Sequence, residues 1–385
     1  MSTIGEESAI SLIPKCPNGL FQFDDDCVLV EDADEEIMEL YMSLASTSPE
    51  LTSKGEDSKN NDSGGLGFLS ATDSILELSI DLAPPSSSFP ISSTMNHSSS
   101  KRGSRKAKLG VPSGKREVES VNVKIQQDIG MLKGQKGDTG SVLWRSSLYL
   151  ATRVLSQKHY TGSSTTGNLI FDYDKLGQSK ILELGAGTGL LSILLSQLSE
   201  KFTSSDRLEN LKLVKRNLEL NGIAIGNDDI LEKMDNPNVN GKKISRNNGD
   251  GFRTQVEKKQ KISVNLEEID WVEIQKERNR HPELWNLTNQ DREEEHYDLI
   301  LAVDCIYNEH LVQPLVDTLS KYCKKGGKSV VWVVVELRSA DVLTLFLESW
   351  MNDSSGPWTI IRLSEKSMGN WDGRKARWVG WVGWR

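Results

Sequence analysis

Cysteine is scarce in this chain. The 385 residues include four, Cys16, Cys27, Cys305 and Cys323. They form no C-x-x-C pair and their spacing suits no metal site, which argues against a disulfide scaffold or a zinc module and for free thiols in a reducing compartment. Surplus positive charge is missing as well. Lys and Arg number 46 against 55 Asp and Glu, a net charge of −9, so the whole chain carries no electrostatic footprint for nucleic acid. The longest apolar runs are strand-length, well short of a membrane span. The opening MSTIGEESAISLIPK lacks a basic stretch followed by an apolar core, so no secretory leader is expected. These absences predict a soluble monomer of the cytoplasm, with the nucleus as a further place, and no membrane partner.

What is present is centred on residues 180–199, KILELGAGTGLLSILLSQLS. Ile181, Leu182 and Leu184 form a short apolar run of the kind found in a buried parallel strand. Gly185, Gly187 and Gly189 then alternate, and Leu190, Leu191, Ile193, Leu194, Leu195 and Leu198 follow at helical spacings. Strand, tight turn and buried helix are predicted in that order. The turn is not the G-x-G-x-x-G of a dinucleotide site, and it has no Lys for a P-loop. E-L-G-A-G-T-G-L instead resembles the first motif of the Rossmann-like methyltransferases that use S-adenosylmethionine. Residues 202–206 read as a second strand ending in Asp206. Its place after the glycine turn is where a Rossmann-like site puts a ribose-binding carboxylate; capping of the next helix is the alternative.

The chain divides by composition. Residues 1–45 form a small acidic segment, with a strand pair expected from Leu20, Phe21, Phe23, Val28, Leu29 and Val30 around Asp24, and a helix from Ile37 to Leu44 spacing. Its acidic run is expected to be a solvated surface, with recognition of a basic protein as the other reading. Residues 46–117 turn to Ser, Gly, Asn, Pro and Lys and are expected to be mostly disordered, contributing little to the core. An apolar island at 75–82 is the exception. The basic cluster Lys101, Arg102, Arg105, Lys106, Lys108, Lys115 and Arg116 in this linker is a candidate contact for RNA or the ribosome, or a nuclear signal, against a plain solvated tail. Residues 118–385 are expected to form one catalytic domain with insertions near 222–261 and 273–296.

Within that domain, Val121, Val123 and Ile125 alternate as a strand, and a helix follows Trp144. Residues 207–221 have a helical stripe of Leu208, Leu211, Val214 and Leu218. Strands are predicted at 262–266, 297–304 and 329–337, the last too β-branched to be anything but central. Two late strands, 358–363 and 377–384, come without a helix between them and suggest an antiparallel hairpin.

With these pieces in order a narrower resemblance emerges. W-R-S-S-L-Y-L-A, E-L-G-A-G-T-G-L, the S-D of Asp206, I-D-W at Trp271 and D-L-I-L-A-V-D-C-I-Y occur in the sequence of the methyltransferase-21-like protein-lysine methyltransferases. The acidic N-terminus and Ser-rich stretch are similar to its fungal ribosomal-protein branch. The resemblance implies an α/β fold: a Rossmann-like seven-stranded methyltransferase sheet with a terminal antiparallel hairpin, behind a partly disordered N-terminal extension. It implies S-adenosylmethionine as cofactor, contacted by Trp144, Gly185, Ala186, Gly187, Asp206, Trp271 and Val303. Trp144 and Trp271 are otherwise core aromatics, and Val303 stands where family members often have Ala. It implies substrate-lysine positioning by the D-x-x-Y residues Asp304 and Tyr307; a helix cap is the alternative for Asp304. That motif lacks the Pro-Pro of nucleobase amine methyltransferases. The expected activity is methylation of a lysine in a large-subunit (60S) ribosomal protein. Two alternatives stay open: a methyltransferase for RNA or a small molecule, and an inactive cofactor-binding scaffold on the ribosome.

Overall fold

Eleven strands appear among the described residues of the computed structural model, which are 13–46, 67–70, 72–82, 119–134, 139–161, 169–235, 262–286, 296–369 and 378–385. They are β1 (Val28–Leu29), β2 (Ile75–Asp81), β3 (Ser120–Gln126), β4 (Lys180–Leu184), β5 (Lys201–Asp206) and β6 (Ala224–Ile225). β7 (Ser263–Glu268), β8 (Leu299–Val303), β9 (Val330–Glu336), β10 (Thr359–Arg362) and β11 (Trp378–Trp384) complete the set. Nine make one sheet in the order β1-β10-β11-β9-β8-β4-β5-β7-β6. β4 pairs in parallel with both β5 and β8, and β8 with β9. β11 inserts antiparallel between β9 and β10. This is the expected Rossmann-like sheet with its hairpin. It has nine strands rather than seven, because the two-residue strands β1 and β6 extend its edges.

Burial explains the central strands. β9 sends Val330, Trp332 and Val334 into the core on one face and Val331, Val333 and Val335 into the core on the other. A strand covered on both faces has no polar side, hence its continuous apolar run. Helices Arg145–His159, Leu190–Leu195 and Leu208–Leu220 supply one core, and helices Ala33–Ser46, Glu309–Tyr322 and Ala340–Met351 the other. All four cysteines are buried free thiols. No helix among the described residues is long and apolar enough to cross a membrane.

Several expectations need correction. Leu20–Val30 is not a strand pair: Phe21 bridges Phe171, while β1 pairs with β10. The acidic run is not a solvated face throughout. Glu36 is 4% exposed, accepts from Trp381 Nε1 at 2.7 Å and faces Arg362; burial still leaves its pKa raised. The apolar island at 75–82 is β2, paired antiparallel with β3, and Leu76, Leu78, Ile80 and Leu82 join the main core. The island is thus the expected exception, and it contributes to the core while its neighbours in 46–117 are mostly outside the described residues. The expected insertion at 222–261 begins with β6 and helix Asp229–Asp235. Helices in the 273–296 stretch overturn nothing, since an excursion can be helical: it holds most of helix Trp271–Arg280 and helix Glu283–Asn286, where Arg278 pairs with Asp317 and Asp353. The basic cluster 101–116 and residues 236–261 lie outside the described residues.

Candidate active site

The chain starts the parallel part of its sheet at β4, then builds outward to β5 and β7 on one side and to β8 and β9 on the other. The carboxyl end of β4 is thus a switch point, where open α/β sheets leave a crevice for ligands. The glycine turn sits there. Gly185, Gly187 and Gly189 have φ of 67°, 56° and 78°, a region that L side chains rarely adopt. Space is short as well: a Cβ on Gly185 would stand 3.0 Å from Cys305 Sγ and 3.2 Å from the Trp271 ring.

Asp206 closes the turn from β5. Its Oδ2 accepts from Gly187 N at 2.9 Å, and its Oδ1 accepts from Arg207 N at 2.7 Å and Asn210 Nδ2 at 2.9 Å. Burial raises its pKa against the pull of these bonds. Ala186 N donates to Ser205 O at 3.0 Å. Trp271 opens helix Trp271–Arg280, capped by Asp270, which accepts from Val272 N at 2.9 Å. Val303 ends β8, and the Cys305 thiol reaches back to the carbonyls of Leu184 and Val303. Glu183, inside β4, is buried and accepts from Ser192 Oγ at 2.6 Å; burial pushes its carboxyl up to about 8.

A second group adjoins the first through Cys305 and Asp304. Trp144 donates from Nε1 to Thr139 O at 2.8 Å, and Arg338 lies over its ring at 4.9 Å. Asp304 is the one described non-glycine residue with positive φ, at 57°. Its carboxylate accepts from Ser146 Oγ at 2.9 Å and from Arg338 Nη1 and Nη2 at 2.6 Å each. This corrects the expectation for Asp304. A carboxylate that is 8% exposed and held by a bidentate arginine is not free to capture a target ammonium. Tyr307 does face outward, with 37% of its surface exposed. Partial burial raises its pKa, against a smaller pull from the Thr139 side chain. Sequence reasoning missed Arg338, Ser146 and Cys305. Ser146 and Cys305 sat inside quoted motifs, whereas nothing local to Arg338 signals its partner 34 residues upstream.

The family model for lysine methyltransferases matches residues 119–237 and 255–350, more than half of the chain. The chain belongs to the lysine methyltransferase family. Among curated relatives, ribosomal lysine N-methyltransferase 5 of Saccharomyces cerevisiae is 28% identical over 271 residues, 60% of this chain and 71% of that protein. A Schizosaccharomyces pombe protein named diaminohydroxyphosphoribosylamino-pyrimidine deaminase is 26% identical over 248 residues. That match takes in 63% of this chain, which spans less than half of the longer protein, 46%. A Streptococcus mutans protein described as a SAM-dependent methyltransferase is 11% identical, covering 69% of this chain and 52% of its own, at a TM-score of 0.34.

The cofactor of this family member is S-adenosylmethionine, and the residues at the switch point fit that group. The turn leaves no room for a Cβ at Gly185 beside an indole face. Asp206 brings a buried carboxylate to the sheet edge, and apolar and aromatic walls with few polar groups are the usual lining of a cofactor pocket.

Proposed function

We propose that this chain is a protein-lysine N-methyltransferase whose target is a lysine of a large-subunit ribosomal protein. The observation that carries the reading is the union of the glycine turn with Asp206 at the switch point, in a chain of the lysine methyltransferase family. The ribosomal target is supported by the budding-yeast relative, a ribosomal lysine methyltransferase by name. The protein is read as a monomer of the cytoplasm.

When bound, the cofactor supplies an electrophilic methyl group on a sulfonium. The chain's own residues do the rest. Asp206 takes one ribose hydroxyl on the remaining lone pair of Oδ2. Gly185, Ala186 and Gly187 present backbone to the cofactor, and Trp144, Trp271 and Val303 wall it. Tyr307 bounds the channel for the lysine. An amine with an ordinary pKa of about 10.4 costs roughly 4–5 kcal/mol to present neutral at pH 7. Exclusion of water and a nearby positive charge both lower that pKa. No residue is assigned as general base, and Asp304 shapes the site rather than taking the proton.

The test is incubation of the purified protein with labelled S-adenosylmethionine and cell extract, followed by mapping of the labelled peptide. Label on a lysine of one ribosomal protein is expected. Label in RNA or small molecules, or none at all, overturns the reading in favour of another substrate or an inactive scaffold.

A further inference from the structure

Arg338 stands just past the carboxyl end of β9 and joins four parts of the chain. Its Nη1 and Nη2 donate to the two oxygens of Asp304 at 2.6 Å each. It also pairs with Glu336. Its guanidinium covers the Trp144 ring. The fourth part is residues 67–69. Phe68 bridges Trp144 and sets its ring edge-on at 6.2 Å. Arg145 N donates to Gly67 O, and Leu69 N to Leu143 O, each at 2.9 Å. Gly67 has φ of 96°, and a Cβ there would collide with Arg338 Nη2. The backbone of this strap therefore closes directly on the guanidinium. The strap lies outside the residues that the family model matches.

The pair is largely withdrawn from water, with side-chain exposures of 27% for Arg338 and 2% for Asp304. Such a pair holds its geometry only while both partners are present; removal of one leaves a buried charge unmatched. Burial disfavours the arginine's charge, yet the bonds and charges of Asp304 and Glu336 outweigh it and raise its pKa.

We propose that Arg338 is a positioning residue of this site: it fixes Asp304 in its left-handed turn and Trp144 on the cofactor wall, and the strap at 67–69 locks it from outside. The inference rests on the reading of Trp144 and the glycine turn as the cofactor site. It makes Asp304 the anchor of Arg338 and leaves the target side to Tyr307.

The experiment uses the full chain with Arg338→Gln, Arg338→Lys, Asp304→Asn, the Arg338→Gln/Asp304→Asn pair, and Gly67→Ala. Calorimetry gives the affinity for S-adenosylmethionine, and hydrogen exchange of the cofactor-free protein reads the amides of Leu69 and Arg145. Arg338→Gln and Asp304→Asn should each weaken cofactor binding about tenfold, the effect of one charge-assisted hydrogen bond. The pair should be no worse than either alone, since the two act as one unit. Arg338→Lys should recover part of the loss. Gly67→Ala, which alters no charge, should weaken binding several-fold and speed both amides. Unchanged affinity and exchange in folded Arg338→Gln, or losses that multiply in the pair, overturn the proposal. If Arg338→Gln does not fold, Arg338→Lys and Gly67→Ala decide by the same criteria. A wild-type protein that binds no S-adenosylmethionine sinks the functional reading instead, and the exchange arm still decides whether Arg338 and the strap are coupled.

Discussion

The amide of Gly187 donates to Oδ2 of Asp206 at 2.9 Å, across the ends of two neighbouring parallel strands. The turn after β4 and the acid that ends β5 are thereby one unit. Oδ1 of the same carboxylate serves the first turn of helix Leu208–Leu220 through Arg207 N and Asn210. The N-cap of that helix is Arg207, so Asp206 braces the residue before the helix and Asn210 within it rather than capping it. That helix is in turn tied to the turn by Asn217, whose Nδ2 donates to Thr188 O at 2.9 Å.

Asp206→Ala should weaken S-adenosylmethionine binding by about one to two orders of magnitude, from the loss of a charged acceptor worth roughly 1.5–3 kcal/mol. It should also lower stability by about 1–3 kcal/mol, because Gly187 N and Asn210 lose their acceptor. Calorimetry and urea unfolding separate the two effects. Unchanged cofactor affinity removes Asp206 from the site.

Leu78→Ala in β2 should destabilise the protein by about 2–5 kcal/mol, the usual result of emptying a buried leucine site. Leu78 is 4% exposed and packs in the main core although it comes from a polar stretch. Urea unfolding measures the loss. An unchanged midpoint would show that β2 is a dispensable ribbon.

Most of the sheet was legible because its strands are buried on both faces. β8 and β9 read as unbroken apolar runs, and the glycine turn carries its own spacing. β1 and β6 were not, since two residues each leave no period to detect. β2 was visible only as an island, because its partner β3 is far along the chain. Gly185, Asp206 and Trp271 were named from motif and order, and the structure places them together at the carboxyl end of β4 and β5. Asp304 was found but its partner was not. A salt bridge between strand ends depends on sheet order, and the sequence near Asp304 contains no trace of Arg338.

Glu183 should give stability a pH dependence. Its carboxyl is pushed up by burial from an ordinary value near 4.5 to about 8, so the folded state binds a proton that the unfolded state releases. Stability should therefore fall as pH rises from about 4.5 to about 8, by up to roughly 1.4 kcal/mol per unit. Below that window the group has no effect, and above it the cost is complete. Glu183→Gln should flatten this part of the profile. Urea midpoints at several pH values test it, and parallel curves for the two proteins would exclude Glu183 as the source.

Tyr307→Phe separates the target side of the site from the cofactor side. Tyr307 follows β8 by four positions and keeps 37% of its surface exposed. The cofactor contacts assigned here come from the turn after β4, from Asp206, from the two tryptophans and from Val303, none of which needs that hydroxyl. The ring should therefore bound the lysine channel. An interaction made with the target and its transition state lowers turnover when removed and leaves cofactor binding alone. On the proposal that the Tyr307 hydroxyl bonds the incoming lysine, Tyr307→Phe should keep S-adenosylmethionine affinity within about twofold and lose about tenfold in single-turnover labelling of a large-subunit ribosomal protein, the worth of one hydrogen bond near 1.4 kcal/mol. Wild-type labelling would make Tyr307 structural. A matching loss of cofactor affinity would place it in the cofactor pocket instead.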